Sequence, residues 1–444
     1  MRPSIGVRRE TKGPWERRSP VTPDLARRLV ASADIRVFVQ PSARRIFADT
    51  AYTRAGATLT TDLGDANLVL GVKEIPPDLL RPGTAYMFFA HVIKGQAANM
   101  PMLRRLLELG CTLIDYELIT DDRGRRLVFF GRFAGLAGMI DTLWALGQRL
   151  AEEGFKTPFA ALEPAHAYDG LEAAKAAVRA AGKRLASSGL PEGLPPLVIG
   201  IAGYGNVARG AREILSELPT HEVAPADIES LPEGASAHRL HQTTFKEEHL
   251  VVPVDPVDPA RPFELQDYYD HPERYRSDFA RFLPHLTALV NCNYWDERYP
   301  RLVTLDELEV LYGGPRPPRL RVIGDLGCDI GGAVECTVRC TDPGDPVFLW
   351  DAVAREARRG TTGPGPTVLA VDILPAELPL EASEEFAKSL SPFLPALARA
   401  DFSRPLGEVG LPSEIARAVV VHRGELTPPF RHLEAHLKMV ESGG

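Results

Sequence analysis

The run Leu197-Val198-Ile199-Gly200-Ile201-Ala202 leads without a polar side chain into Gly203-Tyr204-Gly205-Asn206-Val207-Ala208. A short, continuous apolar run of this kind suits a strand buried on both faces, as in a parallel sheet. The glycines that follow fit G-x-G-x-x-G/A. In that spacing the first glycine makes a tight turn and the second lets backbone approach a pyrophosphate. A small third residue lets a helix pack close. The stretch from Val207 to about Leu218 reads as that helix, its first amides aimed at phosphate. A strand before and a helix after is the context the motif needs. Gly203, Gly205, Asn206 and Val207 are therefore candidate dinucleotide-binding residues. Glu222 and Asp227 both fall near the spacing expected of the acidic residue on the adenosine ribose, which leaves NAD against NADP open.

At 444 residues the chain exceeds one ordinary core, so two domains are expected. Before the glycine motif, apolar runs alternate with amphipathic stretches. Strands are expected at Ile5–Arg8, Ile35–Val39, Leu68–Val72, Tyr86–Ala90 and Leu113–Tyr116. Helices are expected at Pro23–Ala31 behind a Thr22 cap, at Gln96–Leu109 before Gly110, and at Ala134–Glu153. This alternation implies a largely parallel α/β sheet. Ser187–Pro196 (SSGLPEGLPP) has the composition of a linker. Residues 223–285 show no clear period. Later strands are expected at Leu286–Val290, Leu320–Ile323, Val347–Leu349 and Val368–Val371.

Ligands of parallel sheets bind beyond the carboxyl ends of the strands. The first expected strand ends in Arg8-Arg9-Glu10, the third in Lys73-Glu74, the fourth in His91 with Lys94 just beyond, and the fifth in Glu117. Any one of these is commonly a solvated charge or a satisfied histidine. Lys73 and His91 on adjacent strands suit proton traffic beside a hydride transfer, since His titrates near neutrality and a neighbouring cation lowers a lysine pKa. Trp15-Glu16-Arg17-Arg18-Ser19-Pro20 adds Glu16 and two arginines, and Arg18 is suited to gripping a carboxylate.

The formal charge of −8 argues against nucleic acid as the partner. Five cysteines, an odd number, suit a reducing cytoplasm. Cys336 and Cys340 lie four apart with no histidine to complete a metal set, so no metal is expected and both read as ordinary buried thiols. The most apolar long run, Phe133–Leu150, is interrupted by Asp141, and neither a leader nor a membrane span is expected.

The segments IGVRRETKGPWERRSPVTP, LGVKE, FFAHVIKGQ, LIDYELITDDRGRR and FGRFAGLAGM, with HPERY, GDLGCDIGGAVE and DILPAELPLEAS later on, cover nearly the whole chain. Together they closely resemble lysine-ketoglutarate reductase, the saccharopine-forming half of aminoadipic semialdehyde synthase. The wider family includes fungal lysine-forming saccharopine dehydrogenase and, more distantly, alanine dehydrogenase and transhydrogenase. The resemblance implies condensation of L-lysine with 2-oxoglutarate to saccharopine using NADPH or NADH, with NADP slightly favoured. It implies Lys73 and His91 as the acid–base pair, and Arg18, Glu16, Lys94, Glu117 and Arg126 around the substrate. Gly210 joins the cofactor loop, and Asp325 lies near the nicotinamide. The implied fold is α/β, two Rossmann-like domains with a cleft between them. The substrate domain, 1–141, is completed by 372–444, and the dinucleotide domain spans 142–371. The chain ends at Gly444 without the second catalytic domain of the bifunctional enzymes, so a separate protein is expected to oxidise saccharopine. Another amino-acid dehydrogenase, using ammonia and a small keto acid, and a non-catalytic lysine-binding homologue are the alternatives.

Overall fold

Ser4–Val7 is buried at every position and pairs in parallel with Arg36–Val39 on one side and Leu68–Leu70 on the other. It is an inner strand, third from one edge, of an eight-stranded sheet in a computed structural model that describes residues 2–231, 235–254, 263–315 and 318–442. The chain divides into two compact units, one of Met1–Phe130 with Pro379–Gly444, the other of Gly131–Leu378.

In the first unit the strand order is Thr58–Leu59, Arg36–Val39, Ser4–Val7, Leu68–Leu70, Ala85–Phe88, Thr112–Asp115, Val419–His422 and Glu425–Leu426. The first six are parallel, and the two C-terminal strands are antiparallel. The loops after Val7, Leu70, Phe88 and Asp115 therefore leave one edge of the sheet. The helix Pro23–Ala33 starts as expected, with Thr22 accepting from the Leu25 N–H and Pro23 supplying the first turn. The expected helix Gln96–Leu109 is α-helical from Met100 to Glu108, behind a single 3₁₀ turn at Ala97–Asn99.

The second unit carries another eight-stranded sheet, in the order Glu356–Arg358, Val347–Asp351, Thr367–Leu369, Val322–Asp325, Ala288–Asn291, Val198–Ala202, Leu240–Phe245 and Thr220–Glu222. Pairing is parallel from Thr367–Leu369 to Thr220–Glu222. The first two strands in that order are antiparallel additions. The glycine-loop strand therefore lies beside Leu240–Phe245. Thr220–Glu222 is half-buried to exposed and takes the edge, whereas Leu240–Phe245 buries four of its six residues. Residues 223–285, which show no period in sequence, hold this inner strand and a short antiparallel pair, Val251–Pro253 with Tyr275–Ser277. Of that stretch, 232–234 and 255–262 lie outside the described residues.

The long helix Gly131–Glu152 belongs wholly to the second unit and is buried along most of its length. It meets the glycine-loop helix Asn206–Leu215 backbone to backbone. A Cβ on Gly135 would come within 1.9 Å of the Val207 carbonyl oxygen, and one on Gly210 within 2.0 Å of that of Arg132. Glycine is required at both positions. A further helix, Leu171–Ser188, was not legible from its alanine-rich sequence.

Candidate active site

On the carboxyl edge of the first sheet the side chains form one ionic cluster. Glu10, buried just past the first strand, accepts hydrogen bonds from the backbone N–H groups of Val72 (2.8 Å) and Lys73 (3.1 Å). It also lies 3.5 Å from the Arg8 guanidinium. These bonds fix the turn on which Lys73 stands. Burial, and next the charge of Arg18, lower the Lys73 pKa from its ordinary value. Arg18 is itself buried. Its Nε and Nη2 donate to Glu16 at 2.8 and 2.5 Å, and its guanidinium lies 4.2 Å from the centre of the Phe130 ring. Phe130 in turn stacks on Phe386 at 4.5 Å, giving the charged cluster an apolar floor. The segment carrying Arg18 is held by Ser19, whose N–H donates to Ser383 Oγ and whose hydroxyl accepts from Tyr52.

His91 lies past the next strand with φ at 47°, a left-handed conformation uncommon for a residue with a Cβ. Its Nδ1 is 2.6 Å from Glu74 Oε1, its carbonyl accepts from Asn99, and its ring is stacked with Phe89. Burial pushes the Glu74 carboxyl up, but the hydrogen bond and charge of His91 outweigh it and bring the pKa to about 2. Lys12 approaches the other carboxylate oxygen at 3.1 Å. A carboxylate fixed on one ring nitrogen sets the orientation of the imidazole. Below lies Asp115, fully buried, which accepts from the Glu117 N–H and is raised by burial to about 7.

Other expected residues are less centrally placed. The fifth strand ends at Asp115, and Glu117 lies in the 3₁₀ turn after it, bonded at 2.5 Å to the exposed Arg126. Lys94 is exposed on the loop beyond His91, its backbone N–H donating to Gln96. Sequence reasoning named Glu10 only as a strand-end charge and passed over Lys12 and Asp115. Lys12 had a visible signal, being a charge within five residues of a strand end. Asp115 did not, because a carboxyl inside an expected strand reads as its boundary.

In the second unit the glycine loop has the geometry a pyrophosphate needs. Gly203 has φ at 105°, and a Cβ there would strike Asn293 Oδ1 at 2.6 Å. Gly205 caps the helix, and a Cβ there would meet nothing within 4 Å, so backbone faces open space. Tyr204, Gly205 and Asn206 are exposed. A dinucleotide fits this cradle. Asp325, at the end of Val322–Asp325, is buried and accepts from Asn291 (2.8 Å) and Thr337 (2.7 Å), and burial raises its pKa to about 6. Its carboxyl thus ties two strand ends and a loop together.

The order of the strands separates Glu222 and Asp227 from the strand beside the glycine loop. The acidic residue on the ribose is expected after the strand adjoining the glycine strand. That strand is Leu240–Phe245, so Lys246 and Glu247 follow it, while Glu222 ends the edge strand. Cys340 also departs from expectation: it is exposed, with its Sγ 3.4 Å from that of Cys328, while Cys336 is buried.

Residues 6–137 match the family described as alanine dehydrogenase/PNT, N-terminal domain. Over 97% of its length the chain is 39% identical to alpha-aminoadipic semialdehyde synthase of Arabidopsis thaliana, of which it covers 41%. It is 35% identical to the mitochondrial enzyme of that name from Rattus norvegicus over 98% of its length, covering 48% of that protein. The chain is a homologue of these synthases. It spans less than half the length of each. It is also 28% identical to saccharopine dehydrogenase [NAD(+), L-lysine-forming] of Emericella nidulans, covering 91% of that protein. Among solved structures an L-alanine dehydrogenase superposes with a TM-score of 0.63 at 19% identity, over 98% of this chain and 99% of that one. The two parallel-sheet units are the fold of that dehydrogenase.

Proposed function

We propose that the chain joins L-lysine to 2-oxoglutarate and reduces the product to saccharopine, an oxidoreductase reaction at a C–N bond that also runs in reverse. The observation that carries this is the cluster of Lys73, His91–Glu74 and Arg18–Glu16 on one sheet edge, in a homologue of the semialdehyde synthases.

Each step of such a condensation moves a proton. The ε-ammonium of the substrate must lose one before attacking the ketone, and the carbinolamine oxygen must gain one to leave as water. Lys73, with its lowered pKa, is suited to accept the first proton. His91, held through Nδ1 by Glu74, offers its other ring nitrogen for the second. Arg18 keeps Nη1 outside its fork with Glu16 and supplies positive charge for a substrate carboxylate. Lys94, Glu117 and Arg126 are assigned to the rim of the substrate site. A bound NADH or NADPH supplies hydride to the imine carbon. Gly203, Gly205, Asn206 and Val207 would hold its pyrophosphate, Gly210 serves by packing their helix against Gly131–Glu152, and Asp325 fixes the strand end beside it. The free thiols accord with a reducing compartment such as the cytoplasm.

The test is a matrix of NADH and NADPH against lysine, ammonia and several keto acids. Cofactor oxidation is expected when lysine and 2-oxoglutarate are both present, with saccharopine driving the reverse. Turnover of pyruvate with ammonia instead would assign an alanine-type dehydrogenase. No turnover in either direction, with lysine still bound, would make the chain a binding protein.

A further inference from the structure

Cys328 and Cys340 stand at the two ends of one segment of the second unit, both as free thiols, with their Sγ atoms 3.4 Å apart. Cys340 is exposed and Cys328 half-buried, so a small solute reaches the pair from solvent. The contact is set by the fold. Cys328 lies just past Val322–Asp325 and holds a left-handed backbone, φ 49°, uncommon for a residue with a Cβ. Its Sγ is also 2.8 Å from the carbonyl oxygen of Ala370. That same oxygen accepts from the N–H of Thr341, the neighbour of Cys340, at 2.8 Å. Both cysteines are thus moored to the residue just past Thr367–Leu369. Between them Thr337 donates to Asp325 at 2.7 Å, and its carbonyl accepts from the Gly331 N–H at 2.9 Å, which folds the segment back on itself.

Two neighbouring thiols suit a metal or a redox step. Among the described residues no group of three or more His, Cys, Asp or Glu side chains is placed to hold an ion. The two sulfurs differ as an attacking and a resolving thiol must. The hydrogen bond from Cys328 lowers the pKa of the Cys340 thiol, against the opposing effects of burial and of Asp372, so the exposed sulfur is the one favoured as thiolate. Donating that bond, together with burial, keeps the proton on Cys328. We infer that Cys328 and Cys340 are a redox-active pair, closed to a disulfide by a peroxide and reopened by a dithiol reductant, and that closure clamps the segment tied to Asp325. With hydrogen peroxide, the Cys340 thiolate attacks one oxygen and breaks the O–O bond, giving a sulfenic acid and hydroxide. The Cys328 sulfur then attacks the sulfenic sulfur, and its thiol proton leaves with the hydroxyl as water. The hydroxide takes the proton that Cys340 lost on ionising. In sum two thiols and one peroxide give a disulfide and two waters, the sulfurs losing the two electrons that the peroxide gains. The sulfurs must approach by about 1.4 Å to reach a bond of ~2.05 Å. A reducing compartment keeps the pair open at rest, which makes closure a response to oxidant. Cys336, between them in sequence, is fully buried and takes no part.

The experiment treats the reduced full chain with hydrogen peroxide at neutral pH, for the parent, Cys328→Ser and Cys340→Ser, and reads intact mass, peptide maps and hydrogen exchange. The parent should become about 2 Da lighter and lose two of its five thiols, with Cys328 joined to Cys340, and dithiothreitol should reverse both changes. Amide exchange over 329–339 should slow about threefold or more in the closed form. Cys328→Ser should stop at the sulfenic acid, captured on Cys340 by dimedone, whereas Cys340→Ser should leave Cys328 unoxidised over the same interval. Melting temperatures close to the parent's check that both serine variants fold. A bond to another cysteine or between chains, direct passage to sulfinic acid, or no reaction overturns the pair. A disulfide that leaves exchange over 329–339 unchanged overturns the clamp. These readouts need neither cofactor nor substrate, so their failure leaves the proposed reaction standing.

Discussion

At the scale of single residues, burial and charge make Lys73 and His91 unlike ordinary surface groups. Burial and Arg18 both disfavour the ammonium form of Lys73. Turnover that requires its neutral form should therefore rise with pH through a value below the ~10.4 of a free lysine. A pH–rate profile under saturating substrates checks this, and Glu16→Gln, which leaves the Arg18 charge uncompensated, should move the limb lower still. Lys73→Met and His91→Gln should each cut turnover by about 10²–10⁴ while leaving the NADH dissociation constant within about twofold, since proton transfer and cofactor binding use different residues. A parallel loss of cofactor binding would argue against the proton-transfer roles. Much of this cluster is legible in sequence because strand ends of a parallel sheet converge. The pairing of His91 with Glu74, and of Glu10 with the backbone of Val72 and Lys73, is not legible, because it depends on which strands are neighbours.

At the scale of elements, two glycines of one loop and helix carry opposite constraints. Gly210 is fixed by packing, with its neighbour's carbonyl already where a Cβ would go. Gly210→Ala should push two buried helices apart and cost about 1–3 kcal/mol, read as a lower midpoint in denaturant. Gly205 has room for a methyl group and an ordinary φ of −74°. Gly205→Ala should therefore keep stability within about 0.5 kcal/mol while weakening NADH binding, because the methyl occupies the space open to the pyrophosphate. A motif match treats such glycines alike. Only the packing of Gly131–Glu152 against Asn206–Leu215 separates them. The same limit applies to the inner strand Leu240–Phe245, whose His, Gln and Thr residues give no apolar run although four of its six residues are buried.

At the scale of the whole molecule, the second unit encloses a buried carboxyl pair. Asp141, mid-helix, accepts from the Ala165 N–H at 2.7 Å, and Glu377 accepts from the His166 N–H at 3.2 Å. Burial raises both pKa values, Asp141 well above its ordinary value and Glu377 to about 7. Because the folded-state value of Glu377 is raised, the stability it contributes is fully present below about pH 4.3 and lost as pH rises through about 7. Denaturation between pH 5 and pH 8 should therefore show a loss that Glu377→Gln reduces by about 2–3 kcal/mol, since an amide has no proton to give up in this range. An identical pH dependence in parent and variant would refute the assignment. In the sequence, Asp141 only interrupts an apolar run. The partner that keeps it protonated lies more than two hundred positions away.

The sequence by itself determined the local grammar: the apolar strand that feeds a glycine turn, the Thr22–Pro23 helix start, and the charged residues at strand ends. These depend on backbone sterics and on patterns within a dozen residues, which any observer can count. The tertiary structure decided what stands beside what. It put Leu240–Phe245 next to the glycine strand and left Thr220–Glu222 at the sheet edge. Strand order is set by which surfaces find apolar partners across the sheet, a nonlocal property that spacing along the chain does not encode.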